Sequence, residues 1–276
     1  MTKVLFFDYD GTLCSDTTHS VSPKVKEALY QLKEKGYLLF LNTGRTKPII
    51  EEDIQKLPFD GYLLGCGSYI EYHNEILLQK YVDLTLKDEI VKWVDEAKIE
   101  AFFEGNACIY RTDFVSQRMI DIVALHDQNG IVMPHVRELS DDFVKMFVCH
   151  HDEVKAKAFE SFMSKHFHYI DRGYPYAEIV LKDVSKGTAI QFICDHLSLS
   201  LEDCYVFGDS SNDMPMFELV KNSALLTNHL EKGHRSTLEE MVKYVCNDAD
   251  HDGLLEAFEK FNLLYLCCQK LIFKVK

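Results

Sequence analysis

The sequence predicts an α/β fold: a doubly wound, Rossmann-like parallel sheet core with an inserted α+β cap domain. Two observations predict the core. Short, uninterrupted apolar runs alternate with segments of helical periodicity, and this alternation occurs near both ends of the 276-residue chain. A third observation predicts the insertion, because the strand-like runs of the middle lie close together in sequence, as in an antiparallel sheet.

The first core elements follow one another without a gap. Residues 4–7 are all apolar, which is typical of a strand covered on both faces. Ser22 and Pro23 then suit the start of a helix, and Gly36 suits its end. Apolar residues recur between them at helical spacing, at Val25, Ala28, Leu29 and Leu32. Residues 37–41 predict the next buried strand, and residues 47–57 a further helix.

The same alternation returns late in the chain. Residues 185–197 predict a helix and 204–207 a buried strand, followed by another helix over 214–220. Between these halves, the pattern predicts helices over 86–97, 114–126 and 153–166, with strands near 99–103, 107–111 and 143–149 and two more before 184. We therefore assign residues 1–82 and 185–276 to the core and 83–184 to the cap.

Composition excludes several classes of function. The formal charge of −14 and the lack of a basic stripe argue against a nucleic-acid partner. No apolar run reaches the roughly 20 residues of a membrane-spanning helix. Nine scattered cysteines indicate reduced thiols, and the first residues carry too short an apolar run for a secretory signal. These features favour a cytoplasmic protein.

Polar motifs follow three predicted core strands: "DYDGT" at 8–12, "NTGR" at 42–45 and "GDSSND" at 208–213. Ligands of open parallel sheets bind beyond the carboxyl ends of the strands, so these motifs should share one edge. Four converging carboxylates would repel one another by roughly 4 kcal/mol per close pair at an intermediate dielectric, unless a cation lies among them. Oxygen ligands without His or Cys point to Mg²⁺, held by Asp8, Asp10, Asp209 and Asp213.

Four motifs in this order resemble those of the haloacid dehalogenase-like (HAD) superfamily, specifically the Cof-type phosphatases with a large cap between the second and third motifs. "DYDGTL" is similar to the first motif, "NTGR" to the second, "SKGTAI" (185–190) to the third and "GDSSNDMPMF" (208–217) to the fourth. Nearly the whole chain is covered, although residues 263–276 extend beyond the similarity. That last segment is apolar with a basic end, so packing as a helix or strand is the default expectation, and a membrane-surface contact, a partner contact or an irregular tail are the alternatives.

The resemblance implies a role for each motif residue. Asp8 would be the nucleophile that takes the phosphoryl group, and Asp10 the general acid and then base. Asp209 and Asp213 would hold Mg²⁺. The phosphoryl oxygens would be bound by main-chain and side-chain groups of the four motifs, from Gly11, Thr43, Gly44, Arg45, Lys186 and Asn212. Thr43 and Asp213 also stand where each could cap the helix that follows.

We expect a Mg²⁺-dependent phosphatase that hydrolyses a small phosphorylated metabolite, a sugar phosphate or a phosphorylated cofactor. Within the superfamily, ion-pumping ATPases carry threonine at the position of Asp10, so aspartate favours hydrolysis or transfer. Two alternatives stay open: a phosphotransferase or phosphomutase acting on sugar phosphates, and a phospho-ligand binding protein without turnover. The sequence specifies neither the metabolite, nor the cap residues that contact it, nor the oligomeric state.

Overall fold

The computed structural model describes residues 2–124, 133–139, 143–227 and 235–264. Among these residues the strands are β1 (Val4–Phe7), β2 (Leu38–Asn42), β3 (Gly61–Leu64), β4 (Tyr69–Tyr72), β5 (Glu75–Gln79), β6 (Glu100–Gly105), β7 (Ile109–Arg111), β8 (Phe143–Cys149), β9 (Phe167–Asp171), β10 (Tyr176–Leu181), β11 (Cys204–Gly208), β12 (Asn222–Leu226) and β13 (Tyr244–Cys246). The helices are α1 (Pro23–Glu34), α2 (Glu52–Gln55), α3 (Leu84–Ala97), α4 (Gln117–Ala124), α5 (Glu153–Met163), α6 (Lys186–Leu197), α7 (Met214–Leu219), α8 (Arg235–Met241) and α9 (Gly253–Lys260).

The chain packs as two compact units, and the first combines Met1–Leu39 with Ser200–Lys276. Its strands lie in the order β13-β12-β11-β1, and every neighbouring pair is parallel. Aromatic rings fill the space between this sheet and α9: Phe7 stacks on Phe207 with centroids 5.0 Å apart, and Phe258 meets both rings edge-on. Burial of these rings anchors β1 and β11 against α9.

The second unit, Phe40–Leu199, contains two groups of strands. In one, β2 pairs with β3 in parallel, and β4 and β5 continue the sheet as antiparallel strands. The other is a five-stranded antiparallel sheet in the order β7-β6-β8-β10-β9. Apolar side chains of α3 and α5 cover one face of it, including Trp93, which stacks on Phe162. The predicted α/β class, with a parallel core and an α+β cap, is confirmed.

Helix ends agree with the capping signals of the sequence. The Ser22 hydroxyl accepts a hydrogen bond from the Val25 N–H at 3.2 Å, and Pro23 occupies the first turn of α1. Gly36 follows the helix with φ +78°, a left-handed conformation that glycine adopts without strain. Ser185 caps α6 by accepting from the Thr188 N–H at 3.1 Å. Local chemistry therefore sets these boundaries.

The helix predicted over residues 47–57 is wrong in its extent. A 3₁₀ turn covers Lys47–Ile49, the chain is extended at Ile50, and only α2 is helical. Side chains take the carbonyls that a longer helix would need: the Arg45 guanidinium donates to Ile49 O at 3.2 Å, and the Gln55 amide donates to Ile50 O at 2.9 Å. The predicted helix over 114–126 is shorter as well, since α4 begins at Gln117, and its last two residues lie outside the described part.

The predicted core and cap boundaries, at 82/83 and 184/185, stay a prediction. The antiparallel sheet spans Glu100 to Leu181, inside the predicted cap, whereas the compact units divide after Leu39 and Leu199. Of the C-terminal segment 263–276, only Leu263 and Leu264 belong to the described residues, and both are buried.

Candidate active site

The first strand carries Asp8 to a buried position. All four residues of β1 are fully buried, and the Asp8 N–H continues the pairing with β11 by donating to Phe207 O at 2.9 Å. The side chain of Asp8 is itself buried, at 4% exposure. Both faces of the apolar run are buried, so the first polar side chain, Asp8, lies where the strand ends.

A tight turn follows, in which the Tyr9 carbonyl accepts from the N–H groups of Leu13 and Cys14 at 3.0 and 2.8 Å. Gly11 has φ +72° and supplies the left-handed residue of this turn. The turn directs the Thr12 hydroxyl to Asp209 Oδ1, to which it donates at 3.2 Å. Asp10, also in the turn, is only half-buried.

The fourth motif is built on the end of β11. The N–H groups of Asp209 and Ser210 donate to Asp213 Oδ2 at 2.9 and 3.0 Å. Asp213 therefore closes the 3₁₀ turn Ser211–Asp213, and its side chain makes no capping bond to α7. A Cβ on Gly208 would lie 2.5 Å from Asp213 Oδ2, so glycine is required there. The Asn212 side chain accepts from the Ser210 hydroxyl at 3.0 Å.

Three carboxylates meet within the first unit. One oxygen each from Asp8, Asp209 and Asp213 lies within 4.8 Å of the others, and all three residues are buried. Like charges this close are unfavourable in a water-poor site unless a cation neutralises them. The donor set is oxygen only, which is the chemistry that Mg²⁺ takes, so the residues fit that ion. Among the described residues, the Asp10 side chain does not belong to this group.

The second motif lies in the second unit, directly after β2. Thr43 is buried, its N–H donates to Leu63 O at 2.9 Å, and its hydroxyl accepts from the Arg45 N–H at 3.1 Å. The Arg45 guanidinium forms a buried ion pair with Glu51 at 2.7 Å. The predicted phosphate contacts of Thr43, Gly44 and Arg45 stay predictions.

Lys186, the predicted lysine of the third motif, is buried at 1% exposure as the first residue of α6. Its carbonyl accepts from the Asn42 side-chain amide at 3.1 Å, which ties the start of α6 to the end of β2. A fully buried lysine is uncommon and agrees with a site role better than with a solvated one. Its contact with a phosphoryl group stays a prediction.

A buried charge network that was not predicted from the sequence lies next to the second motif. Lys145 of β8 forms an ion pair with Glu178 at 2.7 Å and donates to Gly44 O at 3.3 Å. Glu104 of β6 accepts from the Thr46 hydroxyl at 3.2 Å and lies 3.8 Å from Lys145. The signal was present, since Lys145 interrupts the apolar strand 143–149, but a strand pattern does not tell which face the lysine occupies.

Burial and ion pairing shift the pKa values of Glu104, Lys145 and Glu178 in opposite directions. Burial would raise the pKa of Glu178, but Lys145 and then Arg172 stabilise its carboxylate and lower that pKa to about 2. Burial dominates at Glu104, whose pKa is raised. Lys145 is held charged, because the two carboxylates outweigh the burial that disfavours its ammonium form and raise its pKa. Glu178 and Lys145 therefore both stay charged at neutral pH.

The histidine pair at the end of β8 has two different environments. His150 is buried and its Nε2 lies 2.9 Å from the Tyr169 hydroxyl. Burial, followed by the charge of His151, lowers the pKa of His150 to about 4, so its ring is neutral at physiological pH. His151 lies 2.6 Å from Glu100 through its Nε2.

No helix in the described part of the chain is both long and apolar enough to cross a bilayer.

Curated relatives match along nearly the whole chain. The phosphoglycolate phosphatase of Picrophilus torridus is 27% identical over 265 residues, which cover 96% of this chain and 94% of that protein. The HMP-PP phosphatase of Cronobacter sakazakii is 25% identical over 277 residues, covering 92% of this chain and 98% of the relative. These names describe the relatives.

Solved structures share the fold. A protein from Geobacillus kaustophilus HTA426 superposes with a TM-score of 0.82 at 18% identity, covering 96% of this chain and all of that one. A HAD subclass IIB sugar phosphatase superposes with a TM-score of 0.80 at 22% identity, over 95% of this chain and all of that structure. At these identities the similarity establishes the architecture.

The sequence model of one family matches residues 5–258, which include all four motifs and both sheets. The buried carboxylates at the ends of β1 and β11 lie within that match, as does the third motif at the start of α6. The motifs, the architecture and the family match agree, and the chain belongs to the haloacid dehalogenase-like hydrolases.

Proposed function

We propose that this protein is a Mg²⁺-dependent phosphatase that hydrolyses a phosphomonoester of a small metabolite through an aspartyl-phosphate on Asp8. The observation that carries the proposal is the group of three buried carboxylates, Asp8, Asp209 and Asp213, with the Thr12 hydroxyl donating to one of them. Burial of three acids in one place costs stability, so a functional cation site is the economical explanation.

The proposed reaction has two steps at phosphorus. An oxygen of Asp8 attacks, the bond to the leaving oxygen breaks, and Asp10 gives its proton to the departing alkoxide. Asp10, now a carboxylate, then takes a proton from water as the water oxygen attacks the same phosphorus. The bond between phosphorus and Asp8 breaks, inorganic phosphate leaves, and both aspartates return to their starting states.

The remaining motif residues serve charge and position. Asp8, Asp209 and Asp213 would hold Mg²⁺, which when bound supplies the positive charge that offsets the phosphoryl oxygens. Asp213 also fixes the turn through the N–H groups of Asp209 and Ser210. By family resemblance, the phosphoryl oxygens are assigned to groups of Gly11, Thr43, Gly44, Arg45, Lys186 and Asn212.

Relatives support a small substrate. The matched proteins are named for phosphoglycolate and HMP-PP, and a structural neighbour for a sugar phosphate. A cap over residues 83–184 would exclude water from the closed site and select the leaving group. A cytoplasmic location agrees with reduced cysteines and with a phosphorylated metabolite as substrate.

The test is Mg²⁺-dependent phosphate release across a panel of phosphorylated sugars, pyridoxal phosphate and nucleotides. We expect release from at least one of them, lost on chelation with EDTA and reduced at least 10³-fold in Asp8→Asn. The matched control is Asp88→Asn, the same change at an exposed position of α3, which should leave the rate unchanged.

Two results would contradict the proposal. Equal release from Asp8→Asn and the parent protein would show that Asp8 is not the nucleophile. No release from any compound, together with isomerisation of a hexose 1-phosphate, would replace the hydrolase with a phosphomutase.

A further inference from the structure

A second group of metal-ligating side chains lies in the antiparallel sheet of the second unit. Ligand atoms of Glu100, Cys149 and His151 lie within 4.8 Å of one another. None of the three has a role in the proposed reaction. Their chemistry also differs from the all-oxygen group of Asp8, Asp209 and Asp213, because it joins a carboxylate, a thiol and an imidazole.

Sheet geometry brings the three side chains together. Glu100 of β6 is the direct cross-strand partner of Cys149 of β8, so the two side chains project from the same face. His151 lies in the bend that follows β8, and its Nε2 contacts Glu100. Lys145, the residue of β8 that contacts Gly44, lies four residues from Cys149, or about 13 Å along the strand.

Neighbouring groups hold the carboxylate in place. Glu100 Oε1 lies 2.6 Å from His151 Nε2, and its other oxygen accepts from the Ser116 N–H just before α4. Glu100 and Cys149 are buried at 3% and 6% exposure, whereas the His151 side chain is 59% exposed. The cluster thus combines two fixed, buried donors with one donor that is open to solvent, which gives an ion a path of entry.

We propose that Glu100, Cys149 and His151 bind a borderline divalent cation, Zn²⁺ in the first place. Thiolate and imidazole select such ions over Mg²⁺, and a carboxylate oxygen is the third kind of ligand that Zn²⁺ accepts. Ligand atoms about 2.0–2.3 Å from zinc lie roughly 3.3–3.8 Å apart in a tetrahedral arrangement. Binding would therefore replace the 2.6 Å contact between Glu100 and His151 by separate bonds to the ion, a rearrangement that the exposed His151 ring can make.

Binding changes the protonation of the ligands in a defined way. The Cys149 thiol gives its proton to solvent as its sulfur binds the ion, and His151 binds through a neutral Nε2 while Glu100 binds as a carboxylate. Burial, and then the charge of Glu100, raise the pKa of the Cys149 thiol, whereas the charge of Arg118 lowers it. Arg118 itself lies over the Tyr176 ring, 5.4 Å from its centroid. Glu100 and Cys149, both anionic when they bind the ion, supply two negative charges for a divalent cation.

The test uses Co²⁺ as a spectroscopic substitute for Zn²⁺ on the full-length, reduced, metal-free protein, in saturating Mg²⁺ so that the carboxylate group is not the reporter. We expect one equivalent of Co²⁺ to produce a thiolate-to-cobalt charge-transfer band in the near ultraviolet, which added Zn²⁺ abolishes. Cys149→Ser should lose the band. Cys246→Ser, which removes another buried thiol in the first unit, should keep it.

His151→Ala provides a second measurement, because its exposed ring can be removed without disturbing the sheet. We expect at least a tenfold weaker affinity for Zn²⁺, measured by competition with a chromophoric chelator, and an unchanged melting temperature of the metal-free protein. His168→Ala, at an exposed position of β9, is the matched control and should bind as the parent protein does.

Three results would overturn the inference: no thiolate band in the parent protein, a band that survives Cys149→Ser, or a His151→Ala affinity within twofold of the parent. In each case Glu100 would only accept from the Ser116 N–H and contact His151, and Cys149 would be a buried thiol of the core. The readouts are independent of phosphate release, so they stand whether or not the proposed hydrolase reaction is correct.

Discussion

Asp8 and Asp10 are two residues apart but have different surroundings. Asp8 is buried in the carboxylate group, whereas Asp10 lies half-buried in the glycine turn. A buried, fixed carboxylate suits a nucleophile. A more open acid suits a group that must exchange its proton with an alkoxide and then with water. The resemblance of the D-x-D pattern to the first motif suggests a role for each aspartate, but the difference in their environments is visible only in the folded chain.

The proposed acid–base role of Asp10 predicts how its loss depends on the leaving group. We expect Asp10→Asn to reduce turnover of an alkyl phosphate by about 10²–10⁴-fold, because both proton transfers are lost. With p-nitrophenyl phosphate, whose leaving group needs no proton, a burst of nitrophenolate should remain and phosphoenzyme should accumulate. Rapid-quench measurement of both products checks this. An equal loss in the burst and in steady-state turnover would contradict the acid–base role.

Glu178 predicts a pH-dependent contribution to stability. Glu178→Gln leaves Lys145 buried beside a neutral amide, so we expect a loss of about 3 kcal/mol in the free energy of unfolding at pH 7. The folded pKa of Glu178 is lowered to about 2 from its ordinary 4.5. Its contribution is therefore complete above about pH 4.5 and disappears as the pH falls towards 2.

Urea unfolding of both proteins from pH 7 to pH 3 checks this prediction. The difference between parent and Glu178→Gln should narrow below about pH 4.5. Glu89→Gln, at an exposed position of α3, is the matched control and should unfold as the parent does at every pH. A difference that stays constant down to pH 3 would mean that the variant loses packing and not charge.

Strands and helices with strong local signals were predictable. The continuous apolar run 4–7 predicted β1, the largely apolar run 143–149 predicted β8 despite Lys145, and the Ser22-Pro23 signal predicted the start of α1. Prediction failed at residues 47–57, because side chains of Arg45 and Gln55 compete there for backbone carbonyls. Such competition depends on which groups meet in three dimensions, and no periodicity of the sequence records it.

The end of β11 predicts an effect of adding one methyl group. Gly208→Ala would place a Cβ 2.5 Å from Asp213 Oδ2 and 2.6 Å from Met216 Cε. We expect a loss of about 1–3 kcal/mol in stability and a higher Mg²⁺ concentration for half-maximal phosphate release, because the Asp213 carboxylate must move. Thermal unfolding and a Mg²⁺ titration of activity measure the two effects.

Gly36→Ala separates crowding from backbone strain. A Cβ there meets no atom within 4 Å, although φ is +78°. This control should lose about 1 kcal/mol through its left-handed backbone and keep the parent's Mg²⁺ requirement. If Gly208→Ala keeps that requirement as well, the Asp213 turn does not support the metal site.

The residues of the carboxylate group could be predicted from the sequence, but the buried charge network beside the second motif could not. The four motifs gave the family, now confirmed, and Asp8, Asp209 and Asp213 do lie together. The network of Lys145, Glu104 and Glu178 was not predictable, since it depends on the register between β6, β8 and β10. Register fixes which charges face one another, and a single sequence does not state it.

We expect bound Mg²⁺ to raise the free energy of unfolding of the whole chain. An ion that binds only the native state adds about 2.7 kcal/mol at a concentration of 100 Kd. We therefore expect the melting temperature to rise with MgCl₂ and to fall back with EDTA, measured by calorimetry. Asp209→Asn should remove the response, and NaCl of equal ionic strength should not reproduce it. A rise that persists in Asp209→Asn would place the ion elsewhere.

The pairing of β1 with β11 has a consequence for biosynthesis. Phe7 is the register partner of Phe207, two hundred positions later. At about 5–20 residues per second, a ribosome needs roughly 10–40 s to make the intervening chain. During that interval all of Phe40–Leu199 is synthesised, while β1 has no partner from the C-terminal segment. The first strand to be translated is thus one of the last to complete its sheet, and a nascent chain arrested before residue 204 contains Asp8 but lacks Asp209 and Asp213, the other two members of the carboxylate group.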